Sequence, residues 1–154
     1  MGSFNFKSSG KLASQPTTAV EQTFLQPIGI KTPLQVSDKD IYAMHYSLAD
    51  QIHDNLKNLL LTNWGERLGS YYFGANLREL TSEISNLDAF DELAITRIRS
   101  AVEKWMPFVS LKDFSSSADN VNNFSTAIVK ITITYTVPKI STEIRSLQIV
   151  LYAI

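Results

Sequence analysis

The chain is predicted to be an α+β domain: three amphipathic helices packed on a small antiparallel sheet that ends in a C-terminal β-hairpin. Apolar residues recur at intervals of three and four between residues 41 and 105, and alternate at intervals of two between 129 and 153. The two periods follow one another rather than interleaving, which excludes a chain of βαβ units and places the strands in an antiparallel sheet. The length of 154 residues, with 44% apolar and 19% charged residues, suits one such domain.

Residues 1–29 are rich in Ser, Thr, Gln and Gly, carry Pro16 and Pro27, and hold neither period, so they are expected to form an extended arm before a domain spanning 30–154. The apolar residues Phe4, Phe6, Leu12, Val20, Phe24, Leu25 and Ile28 are too many for a purely solvating tail. A disordered tail and an arm that orders on a partner both remain open.

From Ser37 or Asp38, either able to cap a helix, Ile41, Met44, Leu48, Ile52, Leu56, Leu59 and Leu60 follow helical spacing until the chain nears Gly65. That predicts a first helix of about six turns. Gly65, Gly69 and Gly74 then punctuate a turn-rich stretch from Asn63. A short second helix from Asn76 has Leu77, Leu80 and Ile84 on one face. A third, from about Asp88, turns Phe90, Leu93, Ala94, Ile98, Ala101, Val102 and Trp105 inward until Pro107 stops it. Strands are expected at Phe108–Phe114, near 126–137 and near 145–153. Ser115–Asn123 would be a loop, and six or seven residues opened by Pro138 would join the last two strands.

The charge balance narrows function. The net charge of -1 offers no general field for nucleic acid or an anionic membrane. Residues 1–37 are net +2, residues 38–107 carry eleven acids and seven bases, and residues 108–154 are net +1. With no cysteine, disulfides, thiolate metal sites and a cysteine nucleophile are excluded. No run reaches the ~18 apolar residues of a membrane span and the N-terminus lacks a signal-peptide core, so a soluble protein of the cell interior is expected.

Candidate chemistry is sparse. His45 and His53, placed on the first helix, would lie about 80° apart around its axis and roughly 12 Å along it, so they cannot share a metal; His53 is expected to be solvated. The glycines lack the Gly-Lys-Ser/Thr ending of a phosphate cradle, and no nucleophile elbow is present. Glu66 sits among aromatics and glycines, but Arg67 or Arg78 can neutralise it, and no second carboxylate is fixed opposite it as glycoside hydrolysis requires. Trp64, Tyr71, Tyr72 and Phe73 fit core or interface packing better than base stacking, because the surrounding segment is acidic. No catalytic residue, metal, cofactor or small-molecule substrate is therefore expected.

Several segments in order carry a resemblance. Ile30-Lys31-Thr32-Pro33-Leu34 is followed by a long helix, by Leu61-Thr62-Asn63-Trp64-Gly65-Glu66-Arg67, by Phe73-Gly74-Ala75-Asn76-Leu77, by Lys104-Trp105-Met106-Pro107-Phe108-Val109, and by a terminal hairpin. The series resembles the baseplate wedge and sheath-initiator proteins of contractile-tailed bacteriophages, a family that includes the baseplate subunit of type VI secretion systems. That family closes its third helix with Trp-Glu-Pro-Arg-Ile/Val. Trp105, Pro107 and Val109 match, while Met106 and Phe108 replace the two charged residues.

The resemblance implies a structural virion part of the tail baseplate, assembled in the bacterial host cytoplasm, with other wedge proteins and the tail sheath protein as partners. It implies wedge docking through Gly65, Glu66, Arg67, Trp105, Met106, Pro107 and Phe108. It further implies β-augmentation of the C-terminal hairpin by sheath strands, with Ile131, Ile133, Tyr135, Leu147, Ile149 and Leu151 on the strands involved. Losing both charges at 106 and 108 together avoids leaving one unpaired and implies a less charged partner surface. The family has also carried a lysozyme-like name, which would assign Glu66 to peptidoglycan cleavage. The equivalent part of a cellular contractile injection or secretion system is the other alternative.

Overall fold

The computed structural model describes residues 26–38, 41–81, 87–120 and 127–153. The fold is α+β. A two-stranded sheet, β1 (Gly29–Ile30) and β2 (Met44–His45), precedes α1 (Leu48–Leu61), α2 (Leu77–Thr81) and α3 (Leu87–Trp105). Strands β3 (Ser110–Asn120), β4 (Ala127–Val137) and β5 (Ser141–Ala153) form an antiparallel sheet in the order β3-β4-β5. The helices lie on one face of it, α1 and α2 against β5 and α3 against β3.

The period-two pattern positions that face. Val129, Ile131, Ile133 and Tyr135 of β4 meet Leu147, Ile149 and Leu151 of β5 beneath the helices, while Thr132 and Thr134 alternate outward opposite Gln148 and Ser146. Leu56, Leu59, Leu60, Leu77 and Ile98 supply the helical side of the core. Each such buried aliphatic side chain contributes roughly 1.5–3 kcal/mol relative to an exposed one.

Several expectations are corrected. Ile41 and Met44 do not extend the first helix: Met44–His45 is extended and pairs with Gly29–Ile30, and Ile41 is exposed. The helix instead starts after Ser47, whose backbone is extended (φ -111°, ψ 127°). His45 is thus off the helix and buried, its Nε2 2.7 Å from Asp54 Oδ2, and Asp54 also accepts the Thr32 backbone N–H at 2.9 Å. Burial pushes the Asp54 pKa up, but the Thr32 and His45 hydrogen bonds outweigh it and hold the carboxyl below its ordinary value. One carboxylate on α1 thereby pins both limbs of the β1–β2 segment, a segment that straddles the expected boundary at residue 30.

The polar run Ser115–Asn120 is strand, not loop, continuing β3 alongside β4. Ser116 faces the helices and donates to Asp91 of α3. Only residues 138–140 join β4 to β5, closed by Ile140 N–H to Val137 O at 2.9 Å, so the connection is shorter than expected. Leu93 and Trp105, expected inward, are 52% and 36% exposed. Ile84 of the second helix and Val121–Asn123 of the expected loop lie outside the described residues, as does the arm through residue 25.

His53 is half-buried rather than fully solvated. Its Nδ1 is 2.9 Å from the hydroxyl of Tyr135, a residue with no exposed surface, and the two rings stack at 6.2 Å. Burial lowers the His53 pKa, with Asp54 acting in the opposite sense. The unfolded chain therefore binds a proton more readily than the folded one below about pH 6.5. Stability from this group is complete above that pH and is lost as the pH falls through the lower folded value. Urea unfolding at pH 7.5 and 5.5 should show a loss at the lower pH that shrinks in His53→Gln; an equal loss in both proteins would contradict the assignment.

Candidate functional site

Two segments some forty residues apart in sequence meet at one cleft. The first is the loop after α1. Its ends are fastened by Ala75 N–H to Leu59 O at 3.2 Å and Asn76 N–H to Thr62 O at 3.3 Å, and Gly65 N–H reaches Tyr71 O at 2.8 Å across its middle. Gly74 has φ +110°, and a Cβ there would lie 2.1 Å from the Thr62 carbonyl oxygen. Backbone packs on backbone at that point, which only glycine permits. Asn76, at φ +51°, turns the chain into α2, and its carbonyl accepts Arg97 Nη1 at 2.7 Å, which ties the loop to α3.

Inside this loop Glu66 closes its own turn. Its Oε2 accepts the Asn63 backbone N–H and its Oε1 accepts Asn63 Nδ2, both at 2.8 Å. These bonds, side chain first and then backbone, hold the carboxyl below its ordinary value. Of the two expected cations it is Arg78 whose charge further lowers the Glu66 pKa, while the Arg67 guanidinium stands 4.2 Å over the Phe73 ring. Phe73 in turn meets Trp105 edge to face at 5.1 Å. That stack joins the loop to the end of α3.

The second segment completes the cleft. Met106 N–H still bonds Val102 O at 2.8 Å, and Val109 N–H turns back to Met106 O at 2.9 Å. This turn aims Met106 into the core at 7% exposure and leaves Phe108 at 40% on the surface. The two apolar replacements in the motif therefore have different surroundings. Glu66, Arg67, Phe73, Trp105, Met106 and Phe108 line an open cleft of about 680 Å³ floored by α1, with Gly65 and Pro107 exposed beside it.

An aromatic ridge continues from this cleft, built from the residues expected in core or interface packing. Trp64 meets Tyr72 at 5.8 Å and Tyr72 meets Tyr71 at 5.0 Å, both edge to face, and Lys104 lies 5.9 Å from the Tyr72 ring and 5.2 Å from that of Trp105. The contribution of Lys104 was missed, because nothing in its local sequence links it to the loop.

The sheet presents a different feature. Ile131, Ile133 and Tyr135 lie on β4, which is paired on both sides, so β4 has no edge to offer an added strand, contrary to the expectation for these residues. Leu147, Ile149 and Leu151 face the core from β5. Among the described residues, the outer edges of β3 and β5 have no strand partner. β3 carries Lys112, Asp113 and an irregularity between Leu111 and Asp113, all of which discourage pairing. β5 has no charged residue from Ser146 to Tyr152.

Among the described residues no group of three or more His, Cys, Asp or Glu side chains is placed to hold a metal, and no helix is long and apolar enough to cross a membrane.

No protein-family model matches the chain, and no curated protein matches it. Solved structures do share its fold. A chain in the cryo-EM structure of the anti-feeding prophage baseplate, 6-fold symmetrised, superposes with a TM-score of 0.53 at 16% identity, over 81% of this chain and 84% of that one. A crystal structure from Geobacter sulfurreducens, of a protein provisionally described as a tail lysozyme, superposes with a TM-score of 0.53 at 21% identity, over 69% of this chain and 89% of that one. At these identities the likeness is one of fold.

Proposed function

We propose that the chain is a structural component of a contractile-tail baseplate, a wedge protein that docks on neighbouring subunits and starts sheath polymerisation. The observation that carries this reading is the shared fold with a chain of the anti-feeding prophage baseplate, which extends over four fifths of both chains. Wedge docking falls to the face where Gly65, Glu66 and Arg67 meet Trp105, Met106, Pro107 and Phe108. Sheath initiation falls to the C-terminal hairpin, and within it to the outer edge of β5, where main-chain hydrogen bonds supply affinity and side-chain alternation supplies register. Partners are then other wedge proteins and the sheath protein, and the place is the tail of a virion assembled in the bacterial cytoplasm. The alternative is the equivalent place in a cellular contractile injection or secretion system, with the same two surfaces of this chain in use.

A second reading, cleavage of peptidoglycan with Glu66, draws on the likeness to the Geobacter sulfurreducens protein. The local chemistry opposes it. A general acid for glycoside hydrolysis needs a raised pKa and a second carboxylate roughly 5–9.5 Å away. Both oxygens of Glu66 instead accept hydrogen bonds that lower its pKa, and it is the sole acid among the residues lining its cleft. Purified protein added to a murein suspension should leave the turbidity unchanged, with wild type and Glu66→Gln alike. Clearing by wild type that Glu66→Gln abolishes would establish the enzyme and overturn the structural reading. Detection of the chain in purified tails by mass spectrometry, in a fixed ratio to the sheath, is the matching positive result.

A further inference from the structure

The aromatic ridge beside the cleft has a composition that selects its partner. Leu68 is fully exposed, Tyr71 and Tyr72 are 63% and 62% exposed, and Trp64, Phe108 and Trp105 are 44%, 40% and 36% exposed. Exposed aromatics gathered on one face mark an interaction surface. The charges among them are unequal. Arg67 and Lys104 rest on the faces of Phe73, Tyr72 and Trp105, and among the described residues neither is in an ion pair. The one acid at the cleft, Glu66, has both oxygens occupied by Asn63. The Glu66 carboxylate stays ionised, with Arg78 as a further positive charge acting on it, so Arg67 and Lys104 leave the patch with apolar area and a net positive charge, although the segment around it is acidic.

We propose that this ridge is a docking site for an acidic, apolar-anchored protein segment: aliphatic or aromatic side chains entering the cleft between Phe73, Trp105 and Phe108, with flanking carboxylates meeting Arg67 and Lys104. The proposal rests on the reading of this face as a docking surface and adds the chemistry of the occupant. Carboxylates fit because they gain charge-assisted hydrogen bonds from cations whose own hydrogen-bonding capacity a ring contact leaves unused. A basic segment would bring like charges together as its side chains lose water.

The chain contains two tryptophans, and both, Trp64 and Trp105, lie on this face, so intrinsic fluorescence reports on it directly. Full-length protein should respond saturably to a short peptide bearing leucines between glutamates. The response should weaken with rising salt, fall at least tenfold in affinity in Arg67→Glu/Lys104→Glu, and be absent with the lysine counterpart of the peptide. Equal binding of the lysine peptide, no binding of the glutamate peptide, or tighter binding of single-stranded oligothymidylate would overturn the proposal.

A photo-crosslinking residue in place of Leu68, used in producing cells, identifies the natural occupant by mass spectrometry. An acidic segment is the expected result, and a basic segment or nucleic acid contradicts the occupant while leaving a docking face in place. No crosslink in assembled particles removes the docking face itself.

Discussion

Replacing Ser146 and Gln148 together by lysine is expected to leave the domain folded and to abolish sheath nucleation, giving particles with baseplates and tubes but no sheath. Both residues are exposed and lie opposite Thr134 and Thr132 on the outer face of the sheet, away from the core. Surface changes of this kind alter stability by about 0.5 kcal/mol or less. Charged side chains in the stretch of edge strand that is otherwise uncharged from Ser146 to Tyr152, however, must be desolvated when another strand is added beside them, which is how natural sheets keep edges from pairing. Lysines at Ser115 and Ser117 of β3, also exposed, are the control and should leave sheath assembly normal. Deleting residues 138–154 is a poorer experiment than its simplicity suggests, because it removes Leu147, Ile149 and Leu151 from the core and would unfold the domain along with its edge.

Gly74→Ala is expected to destabilise the protein by on the order of 3 kcal/mol or more, combining the strain of a positive φ with an overpacked contact. The new Cβ would stand 2.1 Å from a backbone oxygen, and backbone at the end of α1 cannot swing aside as a flexible side chain would. Gly69→Ala makes a stringent comparison. Its φ is +78° but nothing lies within 4 Å of the added carbon, so strain alone applies, about 1–2 kcal/mol. Denaturant midpoints for the two variants should differ clearly, and equal midpoints would show that the Thr62 contact does not hold the loop. Trp64 Nε1 donates to the Gly74 carbonyl at 3.3 Å, so a shifted Trp64 environment in Gly74→Ala but not in Gly69→Ala is a second expected mark.

The elements with strong periods were legible in the sequence. Ile52, Leu56, Leu59 and Leu60 on α1, Ala94, Ile98 and Val102 on α3, and the alternating residues of β4 and β5 all lie in the core as spaced. The failures occurred where long-range pairing overrode local pattern. Ile41 and Met44 continue the helical spacing of α1, yet backbone pairing to Gly29–Ile30 and the His45–Asp54 contact draw that stretch out straight. Ser47 and Asp50, in the Ser-x-x-Asp order of a helix start, were the available signal. Asp50, however, is bonded to Arg145 of β5 at 2.7 Å, and Ser47 makes no side-chain cap. Ser115–Asn120 looks like a loop because its residues are small and polar, but such residues suit a strand that lies close beneath α3 with Ser116 bonded to Asp91.

The candidate site was half legible. The Gly65-Glu66-Arg67 and Trp105-to-Phe108 segments were both singled out, but only the fold brings them to one cleft, through Arg67, Phe73 and Trp105. Treating β4 and β5 alike as augmentable strands missed that one of them is central. Alternation reveals which face of a strand is buried and says nothing about how many neighbours it has.

Whether the β5 edge nucleates the sheath can be seen in an electron-microscopy reconstruction of the assembled tail resolved at the level of individual strands. A strand from a sheath subunit is expected to run beside β5 along Ser146–Tyr152, with the Trp64, Tyr72 and Phe108 face against another baseplate protein. A baseplate in which the β5 edge faces solvent, or one in which the sheath begins on a different subunit, would contradict it.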